Sequence, residues 1–273
     1  MNPPTPSAPA LDGLIERLQL RLNAHATAAT REWWTKYLRG TASFRGVKLG
    51  DVRTAVNAWF EEERLGEHLS VGQQKDLALM LLEENYTEDK LAGVLFLQEI
   101  LLPAGALEWH SDLPRFARLF DGGYIRDWNV CDWFCVKVLG PLAERQGEAC
   151  ARAISGWREA QSVWQRRASV VAFVNLASEG DRNFPGFTEM VLENCSHLLG
   201  SQERFAQTGV GWILRELSRS DQRRVIGFIE PNLDRFSREA LKNATKYLPP
   251  DVKAHLHGAH LPSGTRARGR RRR

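Results

Sequence analysis

The stretch RFAQTGVGWILRELS, residues 204–218, decides the fold class. From Ala206 to Leu217 its apolar residues recur three and four positions apart, the period of one buried helix face and not the alternation of a strand. Gly209 and Gly211 interrupt that face with positions where another helix can approach closely. Outward from this stretch the same period returns in LDGLIERLQLRL (11–22), DVRTAVNAWFEEE (51–63), QQKDLALMLLEEN (73–85), KLAGVLFLQEILL (90–102) and SVWQRRASVVAFVNLA (162–177). No segment shows a convincing period of two. Breakers separate the runs at Gly40 to Gly50, Pro103 to Gly105, Gly122–Gly123, Gly140–Pro141, Gly180 to Gly186, Gly200 and Pro249–Pro250. The pattern predicts roughly a dozen helices of about ten to eighteen residues joined by short connections, hence antiparallel pairs. Pairs recurring about every 40 residues predict an all-α, HEAT-like helical-repeat solenoid, an α-α superhelix with a concave face. A compact helical bundle is the alternative, because self-similarity between the repeats is weak. The expected organisation is a flexible leader over residues 1–10, one repeat domain over 11–256 and a disordered arginine-rich tail over 257–273.

Composition restricts the function classes. The chain has 273 residues, 43% hydrophobic and 26% charged, and a formal net charge of +4. Residues 262–273 hold six arginines and no acid, so the preceding residues sum to −2. The basic character therefore belongs to the tail, and a near-neutral body can hold phosphates only through a locally sorted patch. No apolar run approaches the length of a membrane span. The N-terminus, MNPPTPSAPALDG, lacks the basic and apolar regions of a signal peptide. Four cysteines, Cys131, Cys135, Cys150 and Cys195, are too few and too irregular for a disulfide framework or a zinc set, and read as buried apolar thiols. His255, His257 and His260 read as part of a solvated tail. Phosphate-binding loops, dinucleotide fingerprints, HExxH, helix-hairpin-helix and iron–sulfur motifs are not visible.

Tryptophan is abundant, with nine in the chain, and several sit beside charges. Trp128 and Asp132 are i and i+4 and share a helix face, with Cys131 and Cys135 close by. Trp164 and Arg167 are i and i+3, and Trp212, Arg215 and Glu216 form a stripe. Any one of these would ordinarily be a core tryptophan beside a structural ion pair; three together point to a site.

The segments KYLRGTASFRGVKLGDVR (36–53), DWNVCD (127–132), VWQRRASVV (163–171), FAQTGVGWILRELSR (205–219) and SREALKNATKYL (237–248) follow one another in an order that resembles the AlkD-type DNA alkylation repair glycosylases, from about Arg31 to Leu248. The resemblance implies HEAT-like repeats around a DNA-binding cleft and release of cationic N3- and N7-alkylated purines from double-stranded DNA in base excision repair, without insertion of the base into a pocket. Carried over residue by residue, the catalytic carboxylate falls on Asp132 and the catalytic aromatics on Trp128 and Trp212. The arginine holding the DNA backbone falls on Arg167, and the cleft tyrosine on Tyr37. The departure is Asp127, which places a second acid beside Trp128.

The chemistry suits these residue types. A cationic alkylpurine departs with little general-acid help, so the transition state chiefly needs its oxocarbenium-like sugar stabilised. A fixed carboxylate does this electrostatically, and indole faces add about 0.5–2 kcal/mol per desolvated cationic contact. An arginine fork binds phosphate bidentately.

Charge is sorted along the chain. Arg31, Lys36, Arg39, Arg45, Lys48 and Arg53 form one basic run, and Arg204, Arg215, Arg219, Arg223 and Arg224 another, separated by an acid-rich stretch from Phe60 to Lys90. Because the runs coincide with the segments carrying the resemblance, Arg45, Lys48, Arg166 and Arg167 are the expected phosphate contacts, and the arginine tail an expected DNA tether. The expected partner is alkylated duplex DNA, bound by a monomer with no cofactor, no metal and no membrane association, in the cytoplasm at the nucleoid. The alternatives are a catalytically silent paralogue that binds branched or distorted DNA, and a HEAT-like protein-interaction scaffold.

Overall fold

The computed structural model describes residues 8–260; the arginines expected to form a DNA tether lie outside the described residues. Every regular element among the described residues is helical, and the nearest approach to a strand is one isolated bridge between Ser43 and Tyr86. The expected all-α helical-repeat fold is observed. No helix is long and apolar enough to cross a membrane among the described residues.

Two compact units divide the chain, one up to Val138 and one from Leu139. The first contains α1 (Ala8–Ala24), α2 (Ala28–Tyr37), α3 (Leu49–Glu62), the single turn α4 (Leu65–His68), α5 (Val71–Glu83), α6 (Thr87–Phe96), α7 (Trp109–Asp121) and α8 (Trp128–Phe134). Its centre is α6, all ten residues of which are buried. Gly93 lets α6 lie close on α5, because a Cβ there would come within 2.6 Å of the Ala78 carbonyl oxygen. The other sides of α6 meet α3 and α8, which explains why Leu91–Phe96 is apolar all round. Ser70 starts α5 with a reciprocal capping box to Gln73, its hydroxyl accepting from the Gln73 N–H at 3.3 Å.

The first turn of α6 also organises the loop after α2. Glu88 accepts the backbone N–H groups of Arg45, Gly46 and Val47 at 2.9, 2.8 and 3.0 Å. Gly46 has φ +100°, and a Cβ there would sit 2.3 Å from the Thr27 carbonyl oxygen. Only glycine fits. The motif SFRGVK is therefore a strap that ties α2 and α3 to α6.

The second unit contains α9 (Gly140–Ser155), α10 (Val163–Val171), α11 (Phe187–Leu198), α12 (Arg204–Leu217), α13 (Gln222–Ile229), α14 (Arg238–Ala244) and α15 (Pro250–Ala259). Helix α12 packs between α10 and α14. The two glycines of the deciding stretch act as expected: a Cβ on Gly211 would meet the Ala240 oxygen at 2.6 Å, and one on Gly209 would meet Val170 and Arg167 at 3.2 and 3.3 Å.

Two sequence expectations change. Gly140–Pro141 is not a break: α8 runs through a π-turn at Cys135–Leu139 straight into α9, with Pro141 in its first turn. A proline is tolerated there because its missing N–H falls where the hydrogen-bond ladder already shifts register. The conformational break is at Gly147, φ +77°. Residues 257–259, expected in the tail, belong to α15, which reaches Ala259. The His257 ring lies 3.0 Å from the Thr245 hydroxyl and the His260 ring 2.9 Å from the Phe236 carbonyl oxygen. His257 and His260 thus bond back onto the preceding fold, while His255 and His257 remain exposed to solvent.

Candidate DNA-interaction site

Asp127 begins the site, and its role differs from the second acid that the sequence suggested. It is the N-cap of α8: its backbone is extended (φ −139°, ψ 158°) and its carboxylate accepts the Val130 N–H at 3.0 Å. It is 4% exposed. Burial pushes its pKa up, against the opposing pull of the Val130 and Asn129 N–H groups and of Lys90, while Asp132 pushes the same way as burial. Asp127 is thus committed to starting the helix. Its cap makes Trp128 the first helical residue and puts Asp132 one turn further along the same face, both half-buried.

Trp128 meets Tyr37 edge to face, with ring centroids 5.4 Å apart at 71°. Tyr37 in turn stacks on Trp33 at 5.0 Å and 15°, and Trp34 stacks on Phe44 at 5.7 Å and 10°. The first unit therefore brings three of the expected residues, Tyr37, Trp128 and Asp132, into one neighbourhood and adds Trp33 and Trp34. The signal for Trp33 was present in the sequence as its i, i+4 spacing from Tyr37.

Arg167 and Trp212 lie in the second unit. Arg167 is 5% exposed. Its guanidinium donates to the Phe205 carbonyl oxygen at 2.8 Å and the Thr208 hydroxyl at 3.1 Å, so α12 holds it through the close approach at Gly209. Trp212 is half-buried on α12, with the Arg215 guanidinium 5.9 Å from its ring. Arg215 donates to Glu216 at 2.7 Å and to Asn243 at 3.0 Å.

The cations expected to meet phosphate divide sharply. Arg45, expected to meet phosphate, is turned inward. It is 8% exposed and forms a fork on Asp89 at 2.8 and 2.7 Å. Its third nitrogen donates to Asn23 at 2.8 Å, and its guanidinium carbon lies 4.4 Å from the Tyr86 ring centroid. Every donor group faces inward. Arg166 is also committed, donating to the carbonyl oxygens of Ala160 and Gln161 at 2.9 and 2.7 Å and pairing with Glu203. Lys48 stays exposed at the N-cap of α3 and forms no ion pair among the described residues.

The second basic run is largely neutralised: Arg204 forks onto Glu239, Arg219 pairs with Glu216, and Arg224 pairs with Asp181. In the first run Arg53 pairs with Glu99 and Arg31 donates to the Arg45 carbonyl oxygen. Lys36 and Arg39 are exposed and, among the described residues, form no ion pair. The charge sorting read from the sequence thus narrows to Lys36, Arg39 and Lys48 around α2 and, in the second run, the exposed Arg223.

All four cysteines are buried thiols. Burial pushes the Cys150 thiol up to about 12, and Cys195 moves in the same direction for the same reason. No group of three or more His, Cys, Asp or Glu among the described residues is placed to hold a metal ion.

What emerges is an all-α helical-repeat protein whose first unit presents aromatic rings, a carboxylate and unpaired cations together. The chain belongs to the DNA alkylation repair enzyme family, whose profile matches residues 18–248. The solved structure of a predicted DNA alkylation repair enzyme from Enterococcus faecalis shares the fold, with a TM-score of 0.69, 13% identity and coverage of 83% of this chain and 98% of that one. Among curated proteins none matches.

Proposed function

We propose that the chain is a DNA glycosylase that hydrolyses the N-glycosidic bond of cationic N3- and N7-alkylated purines in duplex DNA, releasing 3-methyladenine and 7-methylguanine and leaving an abasic site. The observation that carries the reading is the placement of Asp132 one turn after Trp128 on α8, with Trp128 against Tyr37. In this reading Asp132 stabilises the oxocarbenium-like sugar and positions the attacking water. The face of Trp128 attracts the cationic C–H edges of the lesion, and Trp212 is proposed, from the resemblance, as a further aromatic contact with the DNA. Tyr37 supports Trp128 from the side, and Arg167, fixed by Phe205 and Thr208, holds a flanking phosphate. Lys48 contributes a second phosphate contact as a point charge. Arg45 and Arg166 have no such role in this reading, since the guanidinium groups are already paired with the carboxylates of Asp89 and Glu203. The protein acts as a monomer and needs neither metal nor cofactor, because the alkylated base already carries the charge that makes it a leaving group.

The test is incubation with methylated duplex DNA followed by detection of the free bases. The intact chain releases both, whereas Asp132→Asn binds the duplex with little change and releases neither. Release undiminished in Asp132→Asn would refute the assignment. No release by the intact chain, together with tight binding to branched DNA, would establish the non-catalytic alternative.

A further inference from the structure

Helix α2 is unusual for a helix in a packed array, because none of its ten residues is buried. It nevertheless carries large aromatic rings. Trp33 is 57% exposed and Tyr37 51%, and the two are stacked on each other at 5.0 Å. The stack is braced from within by Trp34, which meets Trp33 edge to face at 4.8 Å and lies flat on the buried Phe44. The rings therefore form a fixed ledge in solvent. Leaving two such rings exposed forfeits apolar burial that a purely structural helix would collect.

Lys36 lies on the same stripe, i+3 from Trp33 and adjacent to Tyr37. Arg39 follows directly after the helix in a left-handed conformation, φ 53°. Neither cation forms an ion pair among the described residues, and Glu32 is the one acid on the helix. An exposed aromatic stack flanked by unpaired cations is the composition of a surface that stacks nucleobases while holding their phosphates. A protein partner fits less well. Two rings and two cations fall short of the roughly 800 Å² per side that a stable protein interface buries, and lysine is depleted in such interfaces.

We propose that α2 is a stacking ledge for an unpaired nucleobase, with the base on the exposed Trp33 face and its flanking phosphates at Lys36 and Arg39. The ledge binds single-stranded or locally unpaired DNA whatever its sequence, since every base offers a π-face. This activity does not depend on base excision, because it uses no residue that acts on the glycosidic bond. Its position at the edge of Trp128 makes it a second foothold beside the proposed catalytic helix.

The test uses the full chain and two fluorescent oligomers of equal length and charge, an oligothymidylate and its abasic sugar–phosphate counterpart, compared by anisotropy at near-physiological salt. The intact chain binds the oligothymidylate about tenfold more tightly than the abasic oligomer. Trp33→Ala removes that difference while its circular dichroism stays unchanged, and Trp33→Phe keeps most of it. Lys36→Ala weakens both probes alike and flattens the salt dependence. Equal affinity for the two probes, a preference that survives Trp33→Ala, or Trp33-dependent self-association in sedimentation would overturn the proposal. Asp132→Asn keeps the stacking preference, so loss of base release and loss of the ledge are read separately.

Discussion

Replacing Arg45 by methionine separates a structural arginine from a DNA contact. The guanidinium sits in a buried strap, forked onto Asp89, bonded to Asn23 and lying over Tyr86. Asp89 itself is fully buried. Burial holds its pKa above the ordinary carboxylate range even with Arg45 beside it, desolvation outweighing the ion pair. Methionine fills much of the same volume but leaves the carboxylate uncompensated, a change that costs about 3–5 kcal/mol when one partner of a buried pair is removed. That is a large part of the roughly 5–15 kcal/mol that holds an ordinary domain together. The loss has a definite pH dependence. In the variant the folded-state pKa of Asp89 rises further above its unfolded value, so the folded state binds the extra proton. Stability then falls as pH climbs from the ordinary aspartate range through the raised folded value, and the deficit is smaller in acid. Urea unfolding followed by circular dichroism at two pH values measures this, and Arg45→Met/Asp89→Leu recovers much of the loss by removing both charges. A phosphate-contacting arginine behaves differently: its loss changes stability by less than about 0.5 kcal/mol and reduces the slope of log affinity against log salt by about 1. An unchanged urea midpoint with a reduced salt slope would refute the structural role argued for Arg45.

Three further outcomes are expected. Asp127→Ala removes the cap of α8 and lowers stability by about 1–2 kcal/mol, whereas Asp127→Asn keeps the cap and remains close to the parent; equal thermal midpoints for the alanine variant and the parent would contradict the capping argument. Lys90 is buried and donates to the Leu82 carbonyl oxygen at 2.8 Å, and burial lowers its pKa to about 8 from 10.5. Between those values the unfolded chain binds the extra proton, so stability rises with pH by up to roughly 3 kcal/mol. Lys90→Met abolishes that rise, and parallel pH profiles for the two proteins would count against it. Gly211→Ala forces a Cβ into the Ala240 backbone and costs about 1–3 kcal/mol in chemical denaturation, an effect absent if α12 and α14 can separate freely.

Much of the fold was legible because its signals are local. The three- and four-residue period of the stretch around Trp212 marks a helix wherever the chain goes, and Gly211 marks a close approach because glycine is the residue that permits one. The shared face of Trp128 and Asp132 follows from helix geometry alone. Gly140–Pro141 misled because a proline in the turn after a π-bulge does not end a helix, and that register shift leaves no mark in a residue pattern.

The charges were the least legible part. Arg45, Arg204 and Arg224 look alike in the sequence as members of basic runs, yet each meets its carboxylate 44, 35 and 43 residues away. A run counts charges along the chain, whereas neutralisation depends on which helix packs alongside. Helices, close approaches at glycine and the residue types that could stabilise a cationic transition state can be read from the residues alone, since each depends on neighbours within about one or two turns. That Asp127 is a cap, that Arg45 and Arg166 face inward, and that Trp33 and Tyr37 stand in solvent follows from packing, because burial and pairing arise from elements that meet only when the chain has folded.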